Sequence, residues 1–256
     1  MFKNAIFYQL KDAPAYTAEF LAEKMTEHSF TKCKAQELSR TGWTAPCSSR
    51  EDLAIQAVGG ILISLKKEEK ILPTSVIKDE VSEKVSVIET EQCRKVYKKE
   101  RDQIKDEVIL DLLPQAFSKF FITKALIIPS SGWVIVDASS HKRAEELLSY
   151  LRGTLGSLPI CLPDVVKSPS ATMTHWLEHD NSPASFQTLD QCELRDNVLE
   201  GGVIRIKGQQ IEDEEFIAHL ETGKQVVKLA IEWDETLSFV LADDLSLKSV
   251  KPTDQI

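Results

Sequence analysis

No stretch of about 20 consecutive apolar residues occurs in this 256-residue chain, so the sequence predicts no membrane-spanning helix. No C-x-x-C pair occurs either. The five cysteines, Cys33, Cys47, Cys93, Cys161 and Cys192, are scattered and odd in number. That pattern argues against a disulfide framework or a structural zinc site and for reduced thiols in a cytoplasmic setting. The opening MFKNAIFYQL has too short an apolar run for a secretory leader, and Asp12 interrupts it. There is no G-x-S-x-G, no phosphate-binding loop and no G-x-G-x-x-G, so the usual nucleophile and nucleotide signatures are missing. Fixed-period repeats and low-complexity tracts are missing too.

Cationic excess is also lacking. Lys and Arg number 31 against 40 Asp and Glu, a formal charge of −9. This excludes a polycation coat, but not a local basic face, because binding responds to the field at the contact surface. A nucleic-acid reading therefore needs the bases gathered and the acids turned away. What is present suits a folded protein: 42% hydrophobic and 28% charged residues, in a chain long enough for one large domain or two small ones.

Along the chain, residues 4–10 predict a strand and Thr17 to Glu27 a helix with Phe20, Leu21 and Met25 on one side. Ser39 to Ser49, with Gly42 and Pro46, reads as loop. Ile61 to Leu65 reads as a buried strand, followed by a charged turn at Lys66 to Lys70. Pro73 can open a helix, with Val76, Ile77, Val81, Val85 and Ile88 at helical spacing. The basic run Arg94 to Arg101 reads as a solvated helix end, its cations near the C-terminal dipole. Ile104, Val108, Ile109 and Leu112 mark a second helix that Pro114 ends. The two helices are expected to fold on each other as a projecting arm. A hairpin follows around Pro129 to Gly132. A helix carrying Ala144, Leu147, Leu148 and Leu151 comes next, stopped by Gly153 and Gly156. Residues 163–171 are the linker candidate. Val203 to Lys207, Gln225 to Trp233, Leu237 to Ala242 and Leu247 to Val250 read as strands, with a helix from Asp213 to Glu221. The expected class is α+β with mixed, largely antiparallel sheets. Its regions are a central α/β part (1–72 and 115–165), a helical arm (73–114) and an α+β base (166–256).

Two motifs resemble metal sites and have simpler readings. His175-Trp176-Leu177-Glu178-His179 matches H-x-x-E-H, which on a helix can hold zinc. A metalloprotease also needs a third ligand and an open cleft, so a surface helix with Trp176 and Leu177 packed inward is the expectation, and no metal site is assigned. Asp243-Asp244 suits a hairpin turn. No catalytic residue and no cofactor is expected. The cations Arg205, Lys207, Lys224 and Lys228, with Gln209, carry more interest. Arg205 and Lys207 alternate onto one face of their strand. Lys224 and Lys228, an even number apart, are expected to share a face of the next one.

Six collinear runs resemble one family. They are KKEEKILPTSVIK (66–78), KDEVILDLLPQAFSKF (105–120), LRGTLGSLP (151–159), GGVIRIKGQQ (201–210), GKQVVKLAIEW (223–233) and DDLSLK (243–248). They are similar to the recombination-associated RdgC family from Phe2 to about Lys251. The resemblance implies a non-enzymatic protein of the bacterial cytoplasm and nucleoid. Such a protein binds double- and single-stranded DNA without sequence preference, forms a ring-shaped homodimer with a basic inner surface, and restrains recombination promoted by RecA. It implies DNA-binding roles for Lys207, Gln209 and Lys224, and a dimer contact at Phe117 beside Leu113. Gly208 departs from the family pattern, which can carry Lys there, and Ser249 and Pro252 depart near the end. The chain is also expected to stop short of the family's C-terminal extension. The competing expectation is an acidic module that regulates a recombination protein by binding it, without touching DNA.

Overall fold

The computed structural model describes residues 1–11, 16–57, 59–196, 201–208, 218–220 and 222–253. The described chain mixes helices with antiparallel sheets. It divides into two compact units, one of Met1–Ala18, Ile55–Leu62 and Thr123–Ile256, the other of Glu19–Ala54 and Ile63–Ile122. Among the described residues no helix is long and apolar enough to cross a membrane.

In the first unit, β1 (Ile6–Leu10) pairs antiparallel with β6 (Trp133–Asp137), placing Tyr8 opposite Val134. β6 pairs on its other side with the end of β5 (Phe117–Ile128), the predicted hairpin. Alternation buries Ala125, Ile127, Val134 and Val136. α4 (His141–Leu155) runs through Gly153 and ends at Gly156, whose φ of 81° an L-residue rarely adopts. Of the two glycines, only Gly156 is therefore a stop signal. The helix buries the predicted Ala144, Leu147, Leu148 and Leu151. The linker expected at 163–171 is partly helical: Ser168 caps α5 (Pro169–His179) by accepting from the Ala171 N–H.

The same unit holds a five-stranded sheet. Its strands are β8 (Phe186–Arg195), β9 (Val203–Lys207), β10 (Gln225–Trp233), β11 (Leu237–Ala242) and β12 (Leu247–Pro252), in the order β12-β11-β10-β8-β9. The predicted helix Asp213 to Glu221 lies mostly outside the described residues; Ala218 to Leu220 are helical. Asp244 is the turn residue expected between β11 and β12. One carboxylate oxygen accepts from the Ser246 N–H at 2.9 Å and the other lies 3.0 Å from His141 Nε2.

In the second unit two sequence expectations fail, for one reason. Ser39–Thr44 is not loop but strand β2, and Lys66 to Lys70 is not a turn but the continuation of β4 (Gly60–Ile71). The two strands pair from Ser39↔Glu69 to Thr44↔Ser64. Composition misled in both places because tertiary partners satisfy the polar groups. Glu68 is buried, yet its carboxylate accepts from the Cys33 N–H at 2.8 Å. The Ser118 hydroxyl, first, and that same N–H hold its carboxyl below the usual range. Lys66 Nζ sits 4.7 Å from the Phe30 ring and 4.8 Å from the Phe120 ring, a two-sided cation–π contact. Gly42 is required in β2 because Phe30 N donates to Trp43 O (2.8 Å) and Trp43 N to His28 O (2.9 Å). A Cβ on Gly42 would overlap the Phe30 backbone.

Pro73 precedes α2 (Thr74–Gln92), as predicted, and α3 (Lys98–Leu112) packs against it. Val81, Ile104 and Val108 are buried between the helices, flanked by Ile77, Val85, Ile88 and Leu112. Each such burial stabilises by roughly 1.5–3 kcal/mol. The basic run begins just past the C-terminus of α2 and continues into the start of the next helix. α2 ends at Gln92, and Lys98 and Lys99 open α3, where the dipole disfavours them. Glu100, an acid in the same first turn, suits the dipole and accepts from Arg94 Nη1 at 2.6 Å. Pro114 ends α3 within a single 3-10 turn, Leu113–Gln115.

Candidate nucleic-acid interface

The site is built on β8, β9 and β10. One face of this sheet segment is apolar. Cys192, Leu194, Val226, Leu229 and Ile231 pack there with Met173 of α5, and Ile204 and Ile206 of β9 join them. Side chains alternate along a strand, so the residues between must face the other way. In β9 these are Val203, Arg205 and Lys207, all exposed. In β8 they include Glu193 and Arg195.

Registers bring these groups into rows. Glu193 stands opposite Arg205 on one side and Lys228 on the other; Gln191 stands opposite Lys207. Glu193 Oε2 accepts from Lys228 Nζ at 2.8 Å and from Arg205 Nε at 3.0 Å. Arg195 Nη2 lies 3.6 Å from Glu193 Oε1. Glu193 is only 7% exposed. Burial raises its pKa, but the hydrogen bonds from Lys228 and Arg205 outweigh burial and hold the carboxyl below its usual range. The acid is thus spent beneath its cations. The Arg205 side chain remains 75% exposed, and Lys207 has no ion-pair partner among the described residues. Around Glu193 the outward charges are Arg195, Arg205, Lys207 and the half-buried Lys228; further along β10, Glu232 shares the face of Lys228.

Lys228 reaches this face through an irregularity. Val226 pairs with Leu194, but Lys228, two residues on, pairs with Glu193, one residue back. The extra residue is a bulge. Counting in twos fails across it, so Lys224 does not share the face of Lys228 by alternation. Lys224 precedes β10 and forms its own ion pair with Asp196, 3.1 Å away. Gln209 lies outside the described residues. Gly208 has φ 73° and donates its N–H to Asp190 O at 3.0 Å, so a lysine there would need a strained backbone. Cys192 is no nucleophile: burial, then the Glu193 charge, pushes its thiol up to about 12.

Sequence reasoning missed Glu193, Arg195 and the whole of β8. The signal was Cys192-Glu193-Leu194-Arg195, a clean alternation, but Asp190-Gln191 interrupts it upstream. In the second unit, Phe117 opens β5 and is 84% exposed, whereas Leu113 is buried at 1%. Only Phe117 is available at the surface.

Comparison with known proteins places the chain. The family described as "Putative exonuclease, RdgC" matches residues 1–256. The chain belongs to the RdgC family. Relatives named recombination-associated protein RdgC occur in Pseudomonas putida strain GB-1 and Pseudomonas aeruginosa strain PAO1. Each is 45% identical over 252 residues, 98% of this chain and 82% of the relative. Pseudomonas syringae pv. tomato strain DC3000 has another at the same identity and coverage. A recombination-related role follows from membership in the RdgC family. The relatives' names specify no enzymatic activity, whereas the family description includes the word exonuclease.

Proposed function

We propose that this RdgC-family chain binds DNA without sequence preference and restrains recombination promoted by RecA by occupying DNA. The observation that carries the reading is the exposed pair Arg205 and Lys207 beside the half-buried Lys228, with the acid between their strands, Glu193, buried and hydrogen-bonded. Such a face attracts phosphates although the net charge is −9. Affinity then comes from phosphate neutralisation and counterion release, with few base contacts. The expected particle is a ring-shaped homodimer in the cytoplasm, associated with the nucleoid, with residues 73–114 as arm and Phe117 at an isologous contact. The exposure of Phe117 supports that contact.

A salt-titrated binding assay with random-sequence duplex and single strand tests the proposal. If six to ten phosphates are neutralised, affinity falls about 10³- to 10⁵-fold between about 50 and 200 mM salt. No retention at low salt would favour the rival, an acidic module that binds a recombination protein directly. End-labelled DNA recovered intact with magnesium present separates binding from the exonuclease in the family description.

A further inference from the structure

The exposed end of α5 carries a second cluster, made of residues outside the cationic face. His175, Glu178 and His179 stand at i, i+3 and i+4, so they share one side of the helix. All three are exposed, and their potential ligand atoms lie within 4.8 Å of one another. The imidazole ring centres of His175 and His179 are 4.3 Å apart. Donors bound to one tetrahedral zinc at about 2.0–2.1 Å are separated by about 3.3 Å, which small rotations of exposed side chains can reach.

The backbone beneath them is anchored. Met173 is in the core of the five-stranded sheet, with Trp176 and Leu177 packed against it. Thr174 Oγ1 accepts from the Val226 N–H at 2.9 Å. The cluster also sits at the last turn of α5, where the unpaired carbonyls favour positive charge. His179 Nδ1 lies 3.2 Å from the His175 carbonyl and donates to it, leaving Nε2 as the free donor atom to a metal. His175 Nε2 lies 3.1 Å from the Asn181 amide nitrogen, whose N–H marks that ring nitrogen as the basic one.

We propose that His175, Glu178 and His179 form a site for one divalent ion of the zinc, nickel or cobalt class. Two imidazoles and one carboxylate suit these ions, whereas magnesium and calcium want oxygen alone. The ion displaces the Asn181 amide from His175 and ties positions 175 and 179 together. Because α5 lies on the apolar face of the sheet whose other face carries Arg205 and Lys207, occupancy stabilises the platform for the cations. It contributes no cleavage chemistry.

The test uses the untagged full chain with Cys47→Ser and Cys93→Ser, since those exposed thiols would take zinc themselves. Zinc is titrated against a chromophoric chelator while the melting temperature is followed. One equivalent per chain and a melting temperature that rises with zinc are expected. Substituting His175→Ala or His179→Ala should weaken binding at least about tenfold, since even outer partners of a metal site are worth that much. The double variant should fold normally but show no zinc-dependent rise. A parent that takes up no zinc, a double variant that binds it equally tightly, or a preference for magnesium would overturn the proposal.

Discussion

Lys228 Nζ lies 2.8 Å from Glu193 Oε2, and the same oxygen accepts from Arg205 Nε. One buried acid therefore orients two cations on the strands that flank its own, β9 and β10. Replacing it as Glu193→Ala should cost about 1–3 kcal/mol, the scale for losing hydrogen bonds to a charged group. The figure stays below the full penalty for breaking a buried pair because Arg205 and Lys228 are partly solvated and can turn to water. Chemical denaturation with an unchanged m-value checks this.

The same pair predicts a pH dependence. The folded-state pKa of Glu193 is depressed below its unfolded value. Its contribution is therefore complete above about pH 4.5 and disappears as pH falls through the lower folded value. Glu193→Gln should remove this component, so parent and variant stabilities should converge as the pH drops below about 4. Parallel acid titrations of unfolding free energy would show a constant gap if the assignment were wrong.

On the DNA reading, Lys207→Glu should weaken duplex binding more than Lys224→Glu. Lys207 is exposed, while Lys224 is paired with Asp196. Each phosphate that is no longer neutralised should reduce the slope of log affinity on log salt by about one, without altering sequence preference. Equal effects of the two substitutions, measured by anisotropy at several salt concentrations, would count against the site.

Phe117 and Leu113 should behave differently. Phe117→Ala leaves the chain folded and should lower the mass of the particle, because a large exposed aromatic at a contact centre is worth about 2 kcal/mol or more. Leu113→Ala hollows the interior of the chain and should cost about 2–5 kcal/mol. Sedimentation and thermal melts distinguish the two; an unchanged particle in Phe117→Ala would remove that residue from the contact.

Gly42→Ala should destabilise the second unit by about 1–3 kcal/mol, because the added methyl overlaps the Phe30 backbone. Gly153→Ala is the control. Its Cβ would meet nothing within 4 Å, and a helix gains from alanine there. A melt in which both substitutions act alike would contradict the close approach of Phe30 to β2.

Much of this fold was legible where one period dominates. The stripes of α2 and α3, the hairpin at Pro129 to Gly132 and the alternation of β9 all survive because burial follows sequence spacing directly. Legibility failed where distant groups override composition. β2 looks like loop until Phe30 supplies its bridge, and Lys66 to Lys70 looks like a turn until Glu68 finds Cys33 and Ser118. For the site, Arg205 and Lys207 followed from simple alternation. The role of Glu193 could not, since it depends on which strands flank β8, and strand order is not a local property.

The irregularity between Val226 and Lys228 leaves β10 one letter longer than β8 can match. Excising Val227 would keep Val226 opposite Leu194 and Lys228 opposite Glu193, so the ladder would become regular at that point, short of one buried valine, with the second irregularity between Leu229 and Ile231 left in place. Excising Ala230 is another matter. Ile231 would slide up one place along β11, and its side chain would turn to the opposite face, into the buried position that Ala230 now holds. Within one strand, the same single-residue loss is a local trim at one position and a frame change at another.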